Sequence, residues 1–156
     1  MLLDAMRQFK QGKFLALIAV LSATTSVLAD TANFAPISLA PGFNPSTALT
    51  TGTTGGSFSL PSIANRDRYN NFCLGYSGNQ TPDHIMTLQK DFPRLRLEVE
   101  SQGTPTTLVV RGPNGTIRCG NSSLEDTNWK AGDYQIWVGA KNEGVIGSYT
   151  LLVRER

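Results

Sequence analysis

The chain has 156 residues, 40% hydrophobic and 17% charged, a length suited to one folded domain. Its formal net charge of +2 is carried wholly by residues 1–29, where Arg7, Lys10 and Lys13 outnumber Asp4. The remainder is formally neutral, which leaves no electrostatic footprint for nucleic acid or an anionic lipid surface.

Residues 1–29 have the pattern of a signal peptide. The three cations form a basic leader, residues 14–21 are a short apolar run, and Val27-Leu28-Ala29 offers small residues at a cleavage position. The run is shorter than the roughly 20 residues that span a bilayer. An uncleaved anchor is the competing reading; with no Cys near Ala29, a lipid-modified anchor is disfavoured. The sequence thus predicts an exported protein, periplasmic or secreted, without membrane attachment after cleavage. Residues 30–56 follow as a Thr/Gly/Pro-rich stretch that reads as a flexible linker or arm. Short apolar groups around Phe34 and Ile37 leave open an edge strand within it.

Residues 57–156 read as a β domain. Ser57-Phe58-Ser59-Leu60-Pro61-Ser62-Ile63 alternates, with Pro61 marking an edge or a break. Asn71-Phe72-Cys73-Leu74-Gly75-Tyr76 forms a second short strand. In residues 83–89, His84, Met86 and Leu88 share one face and Ile85 and Thr87 the other, which predicts a strand buried on both sides. After Phe92-Pro93, Leu95, Leu97 and Val99 point one way and Arg94, Arg96, Glu98 and Glu100 the other, a solvated face of cross-strand charge pairs. A β-branched run from Thr106 stops at Gly112-Pro113-Asn114-Gly115, where Pro fixes φ and Asn and Gly accept positive φ. Thr116-Ile117-Arg118-Cys119 then returns as the second arm of a hairpin.

Residues 120–131 read as a polar loop that holds Trp129. In Gly132-Asp133-Tyr134-Gln135-Ile136-Trp137-Val138-Gly139, Tyr134, Ile136 and Val138 face a core and Gln135, Trp137 and Gly139 face away. A loop at 142–147 and a last strand with Tyr149, Leu151 and Val153 inward close the domain. About eight short strands and no helix after residue 29 predict an all-β antiparallel sandwich of jelly-roll type. The two cysteines, Cys73 and Cys119, are expected to form a disulfide in an oxidising compartment. Without a CxxC pair or flanking His they make a poor zinc site. Closing a loop of this length adds about 4 kcal/mol in the chain-entropy account.

Candidate chemistry is sparse. His84 is the only histidine, and adjacent strand residues point to opposite faces, so Asp83 orients it as in a triad only if the strand starts there; the expected role is a turn or strand-start histidine, hydrogen-bonded locally. No Gly-x-Ser-x-Gly elbow occurs. Glu98 and Glu100 share their face with two arginines, which favours ion pairing over a raised pKa. Gly52–Gly56 lacks the Lys and following helix of a phosphate loop. No catalytic residue is expected. Trp137, on the outer face of its strand beside Gln135, is the leading ligand-binding candidate, since an exposed indole stacks on sugar rings and anchors interfaces. Tyr76 and Trp129 are candidate extensions of that surface. The competing reading packs Trp137 against a neighbouring strand or the arm.

The order Cys73-Leu74-Gly75-Tyr76, Pro82-Asp83-His84, an alternating strand, Thr106-Thr107-Leu108-Val109-Val110-Arg111-Gly112-Pro113-Asn114-Gly115, Cys119 and Gly132-Asp133-Tyr134-Gln135-Ile136-Trp137-Val138-Gly139 resembles the bacterial pre-peptidase C-terminal domain family, in its stand-alone exported form. The resemblance runs from about Phe58 to Val153. It implies a jelly-roll β-sandwich that is non-catalytic, with roles in secretion, adhesion or substrate binding. Relatives carry Asp before the Thr-Thr-Leu strand and an Asp pair after the central Cys. Here Pro105 and Gly120-Asn121-Ser122-Ser123 stand there, so no metal is expected; calcium is the minor alternative, with Asn121 and backbone carbonyls as contributors and Glu125, Asp126 and Asp133 near in sequence. No other cofactor is expected. The resulting expectation is a module for a glycan or protein ligand in the envelope or outside the cell. The alternative is a small secreted hydrolase or an enzyme-inhibiting or enzyme-associated domain. An unpaired sheet edge would point to protein partners through strand addition.

Overall fold

The computed structural model describes residues 31–156; the expected export segment, 1–29, lies outside the described residues. Eleven strands follow one another: β1 (Ile37–Leu39), β2 (Leu49–Thr54), β3 (Phe58–Ser59), β4 (Tyr76–Ser77), β5 (His84–Leu88), β6 (Phe92–Ser101), β7 (Thr106–Arg111), β8 (Ile117–Gly120), β9 (Ser123–Trp129), β10 (Gly132–Ala140) and β11 (Gly147–Glu155). They form a β-sandwich. One sheet of four strands runs β2-β11-β6-β9, all antiparallel. The other has seven, with β10 at its centre: β5 and then β1 lie on one side, β7 and then β8 on the other, and β4 meets Ala140 near the end of β10 and pairs in turn with β3. The β1–β5 pair is parallel.

The predicted alternations decide which side chains lie between the sheets. Leu95, Leu97 and Val99 from β6, Tyr134, Ile136 and Val138 from β10, and Tyr149, Leu151 and Val153 from β11 all join one buried cluster. The charges opposite them pair on the solvated face of the four-stranded sheet: Arg94–Glu125 at 3.0 Å, Arg96–Glu98 at 2.8 Å and Arg154–Glu98 at 2.8 Å. The hydrogen bond from Arg154, joined by Arg96, holds the Glu98 carboxyl below its ordinary range, as a paired carboxylate requires.

Two expectations change. Residues 30–56 are not a free arm in the described part. Ile37, Leu39 and Ala48 are buried in the main core, β2 pairs with β11 over six residues, and Phe34 lies edge-on to the Tyr149 ring. Thr, Gly and Pro without periodicity hid a strand whose inward side chains are small, and Gly52 sits where the Tyr149 ring leaves no room for a Cβ. Residues 120–131 are not a loop either. β8 and β9 turn tightly at Asn121-Ser122, and β9 buries Leu124, Asp126 and Trp129 while exposing Ser123, Glu125 and Asn128.

The outer face of the seven-stranded sheet is also covered. The chain between β3 and β4 crosses it, and Leu60, Cys73, Val109 and Trp137 form a second buried cluster flanked by Ile63, Ala64, Ile117 and Cys119. Cys73 and Cys119 are bonded there, with Cα atoms 5.3 Å apart, fixing the covering segment to β8.

Candidate protein-binding surface

The residues singled out in the sequence do not form an open surface. Trp137 is 2% exposed, beneath the covering segment, and its indole N–H donates to the Gln80 carbonyl at 3.0 Å. Its ring is unavailable to a sugar, because the period-two pattern that turns it away from the main core turns it into the second one. Trp129 is fully buried at the end of β9, where its N–H donates to the Asp126 carbonyl and its ring meets Tyr134. Tyr76 is half-buried on β4. Gln135, also half-buried, borders a shallow depression with Arg111, Pro113 and Asp133.

The calcium candidates are likewise separated. Asn121 sits in the β8–β9 turn, Glu125 faces Arg94 and Arg96, Asp126 faces Arg118, and Asp133 accepts from the Thr87 hydroxyl. Among the described residues no group of three or more His, Cys, Asp and Glu side chains could hold a metal ion.

Asp83 and His84 are held in structural bonds. β5 leaves β10 at Ile136, and the Asp83 carboxylate fills the gap before β4 by accepting the Val138 N–H at 2.8 Å; it also accepts from the Asn33 amide at 3.1 Å. Burial outweighs both hydrogen bonds and pushes its pKa up to about 6. His84 points the other way. Its Nδ1–H donates to the Ala35 carbonyl at 2.9 Å, so Nε2 accepts from the Tyr149 hydroxyl at 2.9 Å. Burial lowers the His84 pKa and raises that of Tyr149, so the ring is a neutral acceptor and the phenol a donor.

The exposed apolar groups lie elsewhere. Tyr69, Phe72 and Leu74 are 59%, 57% and 59% exposed, all within the covering segment. Phe72 and Leu74 flank the inward Cys73, so alternation sends both outward. Tyr69 and Phe72 stand on a short hairpin, and Leu74 follows directly after its base. The Asp67 N–H donates to the Asn71 carbonyl at 2.9 Å and the Asn70 N–H to the Asp67 carbonyl at 3.0 Å, with Asn70 at φ 69° supplying the left-handed turn position. The Asp67 carboxylate accepts the N–H groups of Tyr69 and Asn71 at 2.9 and 2.8 Å. At the base, the Cys73 N–H donates to the Asn65 carbonyl, and the Arg68 N–H to the Ile117 carbonyl on β8.

A buried carboxylate ties this hairpin to the sandwich. Asp126 of β9 accepts from Arg118 at 2.7 Å, from Arg68 at 2.9 Å and from the Tyr69 hydroxyl at 2.8 Å. The Arg118 guanidinium lies 4.1 Å from the Trp129 ring centre, and that of Arg66 lies 3.7 Å from the Phe72 ring centre. Tyr, Phe and Arg therefore stand on a loop with little conformational freedom left to lose, the composition and rigidity of an interface hot spot. The sequence signal was Arg66-Asp67-Arg68-Tyr69-Asn70-Asn71-Phe72, two turn-forming Asn among aromatic and cationic residues.

No family model and no curated protein matches this chain. Among solved structures it is similar to the pre-peptidase C-terminal domain of a collagenase from Bacillus anthracis, at 15% identity and a TM-score of 0.41 over 76% of this chain and 94% of that one. It is also similar to PliG of Aeromonas hydrophila, a periplasmic inhibitor of g-type lysozyme, at 12% identity and a TM-score of 0.42 over 78% of this chain and 97% of that one.

Proposed function

We propose that this protein is an exported, non-catalytic β-sandwich module that binds a protein partner through the hairpin bearing Tyr69, Phe72 and Leu74. The carrying observation is that these three exposed side chains share one loop whose turn is closed by Asp67 and which Asp126 of β9 and the Ile117 carbonyl of β8 fix to the sandwich. A rigid apolar projection of this kind loses little entropy on docking. The Cys73–Cys119 bond fits the oxidising compartment that export supplies. The only histidine and its neighbouring acid are occupied in holding strands together, which supports a binding role over hydrolysis.

The test is capture from envelope extract by the exported chain, beside a variant carrying Tyr69→Ser, Phe72→Ser and Leu74→Ser. Phe72→Ser and Leu74→Ser, at exposed positions, change stability by about 0.5 kcal/mol or less each. Tyr69→Ser also removes a hydrogen bond to Asp126, about 1–3 kcal/mol, while Arg68 and Arg118 still hold that carboxylate, and a melting curve run beside the capture shows the variant folded. A defined protein held by the wild type and lost in the variant supports the proposal. Glycan recovered equally by both would replace it with carbohydrate binding at another surface.

A further inference from the structure

The two flanks of the sandwich are finished differently. On the flank carrying the hairpin, Arg118 donates to the carbonyls of Thr127 and Asn128 at the end of β9, and the Arg68 N–H occupies the Ile117 carbonyl of β8. On the other flank, β1 is three residues long, but β2 presents six residues in regular register, and among the described residues its backbone pairs only with β11. Natural edge strands are guarded by Lys, Pro, a bulge or a covering loop. Leu49-Thr50-Thr51-Gly52-Thr53-Thr54 has none of the sequence guards, and no Asp, Glu, Lys, Arg or His occurs anywhere in residues 31–65.

We propose that β2 pairs antiparallel with β2 of a second copy of this chain, about a two-fold axis at Gly52, joining two four-stranded sheets into one. An uncharged edge has no complement to offer a charged partner and meets its own copy without repulsion. The exposed apolar residues on this flank are placed for self-pairing. Leu49, 45% exposed, lies on the outer face at the start of β2; Ile146, 77% exposed, packs over Gly55 just beyond its end. Ile146 shares its surface with the outward Thr51 and Thr53, so both ends of the strand are apolar on one face. An antiparallel two-fold brings the start of each strand beside the end of the other. Leu49 of each copy then meets Ile146 of its partner, as a closed isologous contact demands. This surface is separate from the hairpin and stands without it.

Sedimentation of the exported protein over a dilution series tests this. The expected result is a reversible doubling of mass with concentration. A Thr51→Lys, Thr53→Lys variant, altered only at outward positions, should lose the doubling and keep the thermal midpoint that the wild type shows at the dilution where it is monomeric. Mixing it with Thr51→Glu, Thr53→Glu protein should restore a species of doubled mass. A single monomer mass at every concentration would overturn the proposal, as would a dimer indifferent to the lysines. So would a dimer abolished by the hairpin triple-serine variant, which would place self-association on the other flank.

Discussion

Replacing Asp83 with Asn should make the protein more stable, and more so as the pH rises. The wild-type carboxylate is 3% exposed and, among the described residues, has no cationic partner; it accepts only the Val138 N–H and the Asn33 amide. Unfolded, it ionises near 3.8; folded, burial raises that to about 6. The folded state therefore binds more protons than the unfolded one between these values, and its stability falls as pH rises through that window. The separation corresponds to a cost of about 3 kcal/mol above the window and none below it. Asn at this position keeps an acceptor for Val138; turning the Asn33 side chain to accept the new amide gives up its bond to the Thr81 carbonyl at 3.2 Å, so the gain falls short of the full burial cost. His84 acts with the opposite sign: its pKa is lowered by burial, so it costs stability when the pH falls below its ordinary value and the ring must charge. In the wild type the two neighbours partly cancel on mild acidification. Urea unfolding of both proteins from about pH 4 to about pH 8 should show a gap that grows to at most about 3 kcal/mol at the upper end and closes at the lower. The variant alone should weaken steadily in acid. A variant less stable than wild type at the upper end, or a gap independent of pH, would refute the assignment of the burial cost to Asp83.

Converting Cys73 and Cys119 together to Ser should cost about 4 kcal/mol, given the 46-residue separation they bridge, read as a lower urea midpoint; it should also weaken partner capture by freeing the hairpin. Trp137→Ala should cost about 3–5 kcal/mol through the cavity left beneath the covering segment. The loss would appear as a lower melting temperature, whereas an exposed binding indole would leave stability unchanged. Asp126→Ala should cost about 3–5 kcal/mol, because Arg118, 3% exposed, keeps a buried charge without its carboxylate.

Long alternations were legible in the sequence because one side of each strand has to be apolar. β6 follows that rule from Leu95 onward, and β10 and β11 over most of their nine residues; the Gly-Pro-Asn-Gly turn placed β7 against β8. β2 was not legible, since its inward positions are Thr50, Gly52 and Thr54: Gly52 lies beneath Tyr149 and Phe34, and the two threonine hydroxyls donate to the carbonyls of Ala35, Val145 and Gly147. β9 was hidden by the opposite cause. Its buried Asp126 reads as a loop residue until Arg118 and Arg68 are seen around it, a partnership across strands that no local pattern announces. Trp137 shows the limit of the period-two rule itself. Alternation tells which face of a sheet a side chain occupies, and here the face away from the main core is a second core made by a segment with almost no regular structure.

That second core accounts for where binding and self-association are drawn apart. Covering the central sheet takes a long irregular segment, and an irregular backbone leaves polar groups to satisfy. Asp67 and Asp126 meet that need, and in doing so they draw Arg68, Arg118 and Tyr69 to one flank, closing its strand edges with charged side chains. Residues 31–65, which build the opposite flank before the first arginine of the covering segment, bring no charge with which to close β2. A charge introduced on β2 should therefore act on assembly without touching the hairpin, and a substitution on the hairpin should leave assembly intact. Coupling between the two, measured as loss of partner capture in the Thr51→Lys, Thr53→Lys variant, would mean that the partner recognises the paired form.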